Sequence, residues 1–153
     1  MKERAKRTRR LQDLREKELG ERVGELRRAQ DAEALALSEL DRARTEIRRA
    51  EAERARLAAK PAGGEDWRAA DDWLLSRHAA ERAQKARAEA AVVERRKAES
   101  LVVEAQLKVK RLEKLVVRIQ TEEASRRARA DQRAEDAVAA RVARAEQSDR
   151  GNR

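Results

Sequence analysis

The sequence predicts an all-α protein: two long helices folded back as an antiparallel coiled-coil hairpin, with a C-terminal helical overhang. Composition is the first reason. Charged residues make up 45% of the chain and aromatics 1%, while Ala accounts for 32 of 153 residues. Large aromatic and aliphatic side chains fill a thick core, and this chain has too few of them to build one. The residues it does use, Ala, Leu, Arg, Glu and Lys, are the strongest helix formers. The second reason is that the chain has a single strong break, Lys60-Pro61-Ala62-Gly63-Gly64. The third is an apolar stripe spaced alternately three and four residues apart, the pattern of a helix covered by another helix.

The first helix is expected over about residues 5–59. Its stripe is loose: Leu11, Leu14, Leu19, Val23, Leu26, Leu37, Leu40 and Ile47. The strict register meets Gln30, Glu33 and Arg44, so Ala29, Ala32 and Ala43 are expected to fill in as the seam drifts. Gly20 and Gly24 lie inside the helical pattern and read as soft spots or close-packing points. The turn spans 60–65, where Pro61 removes a backbone donor and the glycines weaken helix. Glu65 and Asp66 then supply an N-cap and first-turn negative charge for the second helix, expected over about 66–147. Its stripe is sharper. Val102, Ala105, Val109, Leu112, Val116 and Ile119 hold six consecutive seam positions, with Trp67, Ala70, Leu74, Ala88, Ala91 and Ala98 upstream in the same register. At 1.5 Å per residue the helices run to roughly 80 and 120 Å. A short break between long helices favours a hairpin, so the whole chain, 1–153, reads as one domain. With the turn near residue 62, Val23 meets the level of Val102, Leu14 that of Leu112, and Ile47 that of His78. Residues beyond about 120 have no partner in the hairpin and form the overhang.

Charge is uneven. Residues 1–30 carry 11 positive and 6 negative groups, and 95–120 carry 8 and 3, while 31–94 carry 12 and 14. Folding back sets the two basic stretches side by side. Arg9, Arg10 and Arg15 then lie opposite Lys108, Lys110, Arg111 and Lys114, forming a basic base, and the turn forms a near-neutral tip. Such an excess suits an acidic protein surface or nucleic acid. No aromatic residues are interleaved for base stacking and no recognised nucleic-acid module is present, which points away from nucleic acid.

Catalysis needs groups converging in a pocket that excludes water, and a two-helix rod has none, so no catalytic residue is expected. Cysteine is absent and His78 is the only imidazole, so no metal site and no cofactor are expected either. No stretch of about 18 apolar residues could span a membrane, and the basic start has no apolar region behind it, so the expected location is cytoplasmic. The two Trp residues differ in role. Trp67 shares the seam register and closes the seam beside the turn. Trp73 points to the flank in line with Arg77, Ala80 and Gln84, a candidate contact surface, since Trp dominates interface hot spots.

Several segments resemble a known family. Leu11-Gln12-Asp13-Leu14-Arg15-Glu16-Lys17-Glu18 is similar to the N-terminal signature of the flagellar export stalk family, FliJ, and of the related YscO-type injectisome proteins. Arg111-Leu112-Glu113-Lys114-Leu115 and the run from Glu122 through Arg126-Arg127-Ala128-Arg129 to Glu135-Asp136 resemble its C-terminal stretch. The resemblance implies a central stalk of a type III secretion apparatus. The end bearing both termini would enter the pore of a hexameric export ATPase, which is where Arg9, Arg10, Arg15, Lys108, Lys110, Arg111 and Lys114 fall. The turn end would face an export gate protein, and in some members export chaperones are handled too. The chain would then sit at the cytoplasmic face of the inner membrane, held there only through its partners. Gate-facing positions carried over are Trp73, Arg77, Ala80 and Gln84. Arg77 and Gln84 depart from the family's apolar character. On the first helix Glu39, Ala43, Glu46 and Ala50 stand where aromatics are expected. Two other readings of the residues themselves stay open: a basic coiled coil bound to nucleic acid or ribosomes, and a purely structural coiled coil.

Overall fold

Residues 2–60 and 63–151 are described by a computed structural model. They form two long helices packed against each other, α1 (Lys2–Ala58) and α2 (Gly64–Gly151), with no strand among the described residues. Pro61 and Ala62, the centre of the expected turn, lie outside the described residues. The flanks show how the helices end and begin. The Ala59 amide still donates to the Ala55 carbonyl, the Lys60 amide to Leu57, and the Asp66 amide reaches back to the Gly63 carbonyl at 3.1 Å. Glu65 and Asp66 occupy the first turn of α2, where negative charge meets the unpaired amides.

The chain groups into two compact units, Lys17–Gln106 and a second made of Met1–Glu16 with Leu107–Arg153. In the first unit, burial alternates at steps of three and four along both helices. On α1 the inward positions include Leu19, Leu26, Ala29, Ala36, Leu40, Ala43, Ile47, Ala50 and Leu57. On α2 they include Trp67, Ala70, Leu74, Ala88, Ala91, Ala98, Val102 and Ala105. Ion pairs that cross between the helices include Arg54 to Asp71 at 2.8 Å, Arg44 to Glu81 at 3.5 Å, and Arg95 to Glu33. Residue number falls along α2 as it rises along α1, and the numbers of each pair add to about 125, as a short fold-back dictates.

The α2 stripe expected from the sequence is the buried one. The α1 stripe needs correction. Leu11, Leu14, Val23 and Leu37 are exposed, Leu14 by 63%. The inward positions beside them belong to Gln12, Arg15, Arg22 and Glu33, all half-buried. Ala29 and Ala43 do fill in, whereas Ala32 faces out. The physical reason is that α2 sets a regular seam, and α1 must match its spacing whatever the residue type. Arg and Gln stems lie along the apolar floor while their heads reach water, so a thin seam tolerates them. Glu33 is neutralised by Arg95. Gly20 and Gly24 are helical, with no positive φ, and an added Cβ at either meets nothing within 4 Å. They are soft spots, not close-packing points.

In the second unit, Ala5 and Thr8 on α1 lie against Val116, Ile119, Gln120 and Glu123 on α2. Val109 and Ile119 are buried, and Leu112 and Val116 half-buried. From Ala124 to Gly151 every residue of α2 is helical and exposed.

Candidate functional site

The basic cluster belongs to the unit formed by residues 1–16 and 107–153. Arg9 and Arg10 are exposed on α1, and Lys110, Arg111 and Lys114 on α2. Arg15 and Lys108 are half-buried at the seam and its edge. Their elements explain this placement. The apolar positions Val109, Leu112 and Val116 turn inward, which leaves 110, 111 and 114 on the outer surface. Among the described residues, Arg9, Arg10, Lys110, Arg111 and Lys114 make no ion pair. Arg9 is shifted beyond Lys108–Lys114 and borders depressions lined on α2 by Val116, Ile119, Glu123 and Arg126.

That shift brings together residues which the sequence reading did not single out. An open depression is lined by Ala5, Lys6, Arg9, Glu123, Arg126, Arg127 and Ala130. Its lining comprises two alanines, four cations and one carboxylate.

The candidate contact surface near the turn lies in the other unit. Trp67 and Trp73 are both half-buried. The Arg54 guanidinium sits 6.0 Å from the centre of the Trp67 ring, and Arg77 sits 5.9 Å from that of Trp73, within cation–π range. Ala80 is exposed, while Arg77 and Gln84 occupy the inward register and are half-buried. A depression there is lined by Glu39, Arg42, Ala43, Glu46, Arg77, Ala80 and Gln84. Three of the four α1 positions set aside for want of aromatics thus face the α2 candidates, while Ala50 is fully buried. Arg77 Nε and Gln84 Oε1 are buried with no hydrogen-bond partner among the described residues. An unpaired buried donor and acceptor each cost about 1–3 kcal/mol, so this notch gains from any group that supplies the missing partners.

Electrostatics reinforce the seam at one point. Burial works to lower the Arg95 guanidinium, but the charges of Glu33 and Glu99 outweigh it and hold Arg95 above its ordinary value. Nearer the turn, a hydrogen bond from Arg56 holds Glu53 below the usual carboxylate range. His78 is half-buried at the seam edge. No group of three or more potential metal ligands occurs among the described residues, and no helix among them is long and apolar enough to cross a membrane.

Compared with protein-family models, with curated proteins and with solved structures, the chain matches none of them.

Proposed function

We propose that this chain is an antiparallel two-helix coiled coil with a C-terminal helical overhang that serves as the central stalk of a type III export apparatus, flagellar or injectisome. The unit containing both ends of the chain enters the pore of a hexameric export ATPase. The turn end of the other unit contacts the export gate protein. The stalk acts in the cytoplasm at the inner-membrane face, needs no cofactor, performs no catalysis and reaches the membrane only through its partners. Export chaperones are further partners in this reading, and nucleic acid is not.

One observation carries the reading. Seven cations, Arg9, Arg10, Arg15, Lys108, Lys110, Arg111 and Lys114, gather in one unit, and five of them make no ion pair among the described residues. Lys110, Arg111 and Lys114 lie on adjacent turns of one helix, and like charges so placed repel, a cost the fold has little reason to carry for its own sake. A negatively lined pore offsets it. At the other end, Trp73 and Ala80 supply the apolar contact, while Arg77 Nε–H is left to donate to, and Gln84 Oε1 to accept from, polar groups of the gate.

The test is charge reversal. Changing Lys110, Arg111 and Lys114 to Glu leaves the seam untouched, since all three are exposed, and Glu is also a good helix former. The variant should stay helical yet lose stimulation of the cognate ATPase. Wild-type stimulation should fall as salt rises, because exposed charges are screened. Trp73→Ala should keep stimulation and lose gate binding by on the order of 2 kcal/mol. A charge-reversed protein that stimulates like wild type refutes the reading. The depression rimmed by Lys6, Arg9, Arg126 and Arg127 favours one rival, a basic coiled coil on nucleic acid. Salt-dependent binding of any DNA or RNA near physiological salt, with no ATPase stimulation, would select that rival.

A further inference from the structure

In the unit formed by residues 1–16 and 107–153 the apolar seam gives out before α1 does. On α2 its steps of three and four carry Val116 and Ile119 on to Glu123, Arg126 and Ala130. Ala5, Lys6 and Arg9 of α1 still border α2 there, and the depression they line together has a volume of about 550 Å³. Arg126 and Arg127 follow Glu123 by three and four residues, so the three share one face of α2. Lys6 and Arg9 share a face of α1 in the same way. The two alanines present only methyl groups, which leaves room between the cations.

Charge pairing here differs from that in the other unit. There, charges that reach across the helices meet their opposites: Arg95 meets Glu33, Arg44 meets Glu81, and Arg54 meets Asp71. Here two cations of α2 share a depression with two of α1, and α1 contributes no carboxylate to the lining. Carboxylates alongside are engaged within their own helices, Glu3 by Arg7 and Glu122 by Arg118. The half-buried Glu123 stands alone against four cations, so the lining carries a net +3. Lys6, Arg9 and Arg127 make no ion pair among the described residues. Arg126 has an interaction of its own, but a guanidinium carries five donors and keeps some to spare.

We propose that this depression binds an oligophosphate anion, a chain of two or three linked phosphates that bridges α1 and α2. Linked phosphates gather several negative charges and many acceptor oxygens into one compact group, which suits cations converging from two helices. Arginine forks take phosphate oxygens in pairs, and lysine adds a point charge. A lone carboxylate offers one charge and would leave most of these donors unmet. The only aromatic side chains, Trp67 and Trp73, belong to the other unit, so nothing here stacks on a base and the phosphates alone are recognised. The inference does not rest on the stalk reading.

Titration calorimetry of the full chain with tripolyphosphate, at low salt and without divalent cations, tests it. Binding should show a Kd on the order of 10–100 µM and weaken as salt rises. Arg9→Gln combined with Arg127→Gln should weaken it about tenfold or more. Arg141→Gln combined with Arg144→Gln removes as much charge from exposed positions of the same unit and should change it by less than about twofold. Glu123→Gln removes the one like charge and should tighten binding. Circular dichroism should show wild-type helicity for every variant. Backbone NMR shifts on adding tripolyphosphate should centre on residues 5–9 and 123–130. ATP should bind no more tightly than tripolyphosphate, because the nucleoside finds no partner. Absence of binding at millimolar tripolyphosphate overturns the proposal. Equal weakening in the two double variants overturns it too, since that marks a diffuse counter-ion layer. Duplex DNA that binds where tripolyphosphate does not would overturn it in favour of nucleic acid.

Discussion

Two leucines five residues apart on α1 give the sharpest test of the seam. Leu40 is 6% exposed and Leu35 is 62% exposed. Both sit in the same unit and both are mid-helix, so Leu→Ala changes the same atoms in the same local structure. At Leu40 the substitution removes about three buried carbons, worth roughly 2.4 kcal/mol at about 0.8 per CH2. A cavity adds to this in thick cores, where Leu→Ala costs about 2–5 kcal/mol. Here the seam is one layer deep and solvent fills the gap, so the lower end applies, about 2–3 kcal/mol. At Leu35 almost nothing is buried, and Ala is a slightly better helix former, so the change should stay within about 0.5 kcal/mol. Urea unfolding followed by helical circular dichroism, with the fluorescence of Trp67 and Trp73 as a second probe, measures both. The Leu40 variant should also melt roughly 4–12 °C lower, at about 2–4 °C per kcal/mol for a chain of this size. Equal losses at the two sites, or a larger loss at Leu35, would refute the register.

Other outcomes follow from single features. Gly20→Ala and Gly24→Ala should each stabilise by up to about 1 kcal/mol, because both glycines are helical with room for a methyl group; thermal melts decide it. A double-mutant cycle on Glu33 and Arg95 should show favourable coupling that shrinks with added salt, whereas a cycle on the one-helix pair Lys97 and Glu94 should show little. Glu53 is held below its ordinary value by Arg56, so its contribution is fully present above the unfolded carboxylate pKa of about 4.3 and is lost as pH falls through the folded value. The stability advantage of wild type over Glu53→Gln should therefore hold at neutral pH and vanish in acid.

Much of α2 was legible in the sequence because its apolar residues are dense and evenly spaced from Val102 to Ile119. The break at 60–64 was legible because Pro and Gly leave no alternative. α1 was legible at Leu19, Leu26, Leu40 and Ile47, which face inward, but not at the rest of its stripe. Leu11, Leu14, Val23 and Leu37 attract the eye, yet the seam runs through Gln12, Arg15, Arg22 and Glu33 beside them. Hydrophobic counting assumes that apolar residues choose the buried face. In a two-helix seam the partner's spacing chooses it, and long polar stems comply. Arg9, Arg10, Lys110, Arg111 and Lys114 are exposed, as charged residues beside an apolar stripe must be, but the levels at which the two helices set them were not legible. Arg9 is placed by its neighbours Ile119 and Glu123, and only the cross-helix pairing reveals Lys6, Arg126 and Arg127 beside it. The notch around Arg77 and Gln84 was hidden for the same reason, since it takes both helices to form it.

The central claim is that the two ends of this protein meet different partners, the ATPase at the chain termini and the gate at the turn. A photo-cross-linking amino acid placed singly at Leu11 or at Leu75 tests it most directly. Both positions are exposed and apolar, so each accepts a bulky aromatic probe without disturbing the seam. In cells assembling the export apparatus, the probe at Leu11 should capture the ATPase subunit and the probe at Leu75 the gate protein. Capture of the gate from Leu11 and the ATPase from Leu75, or of neither protein from either position, would contradict the account.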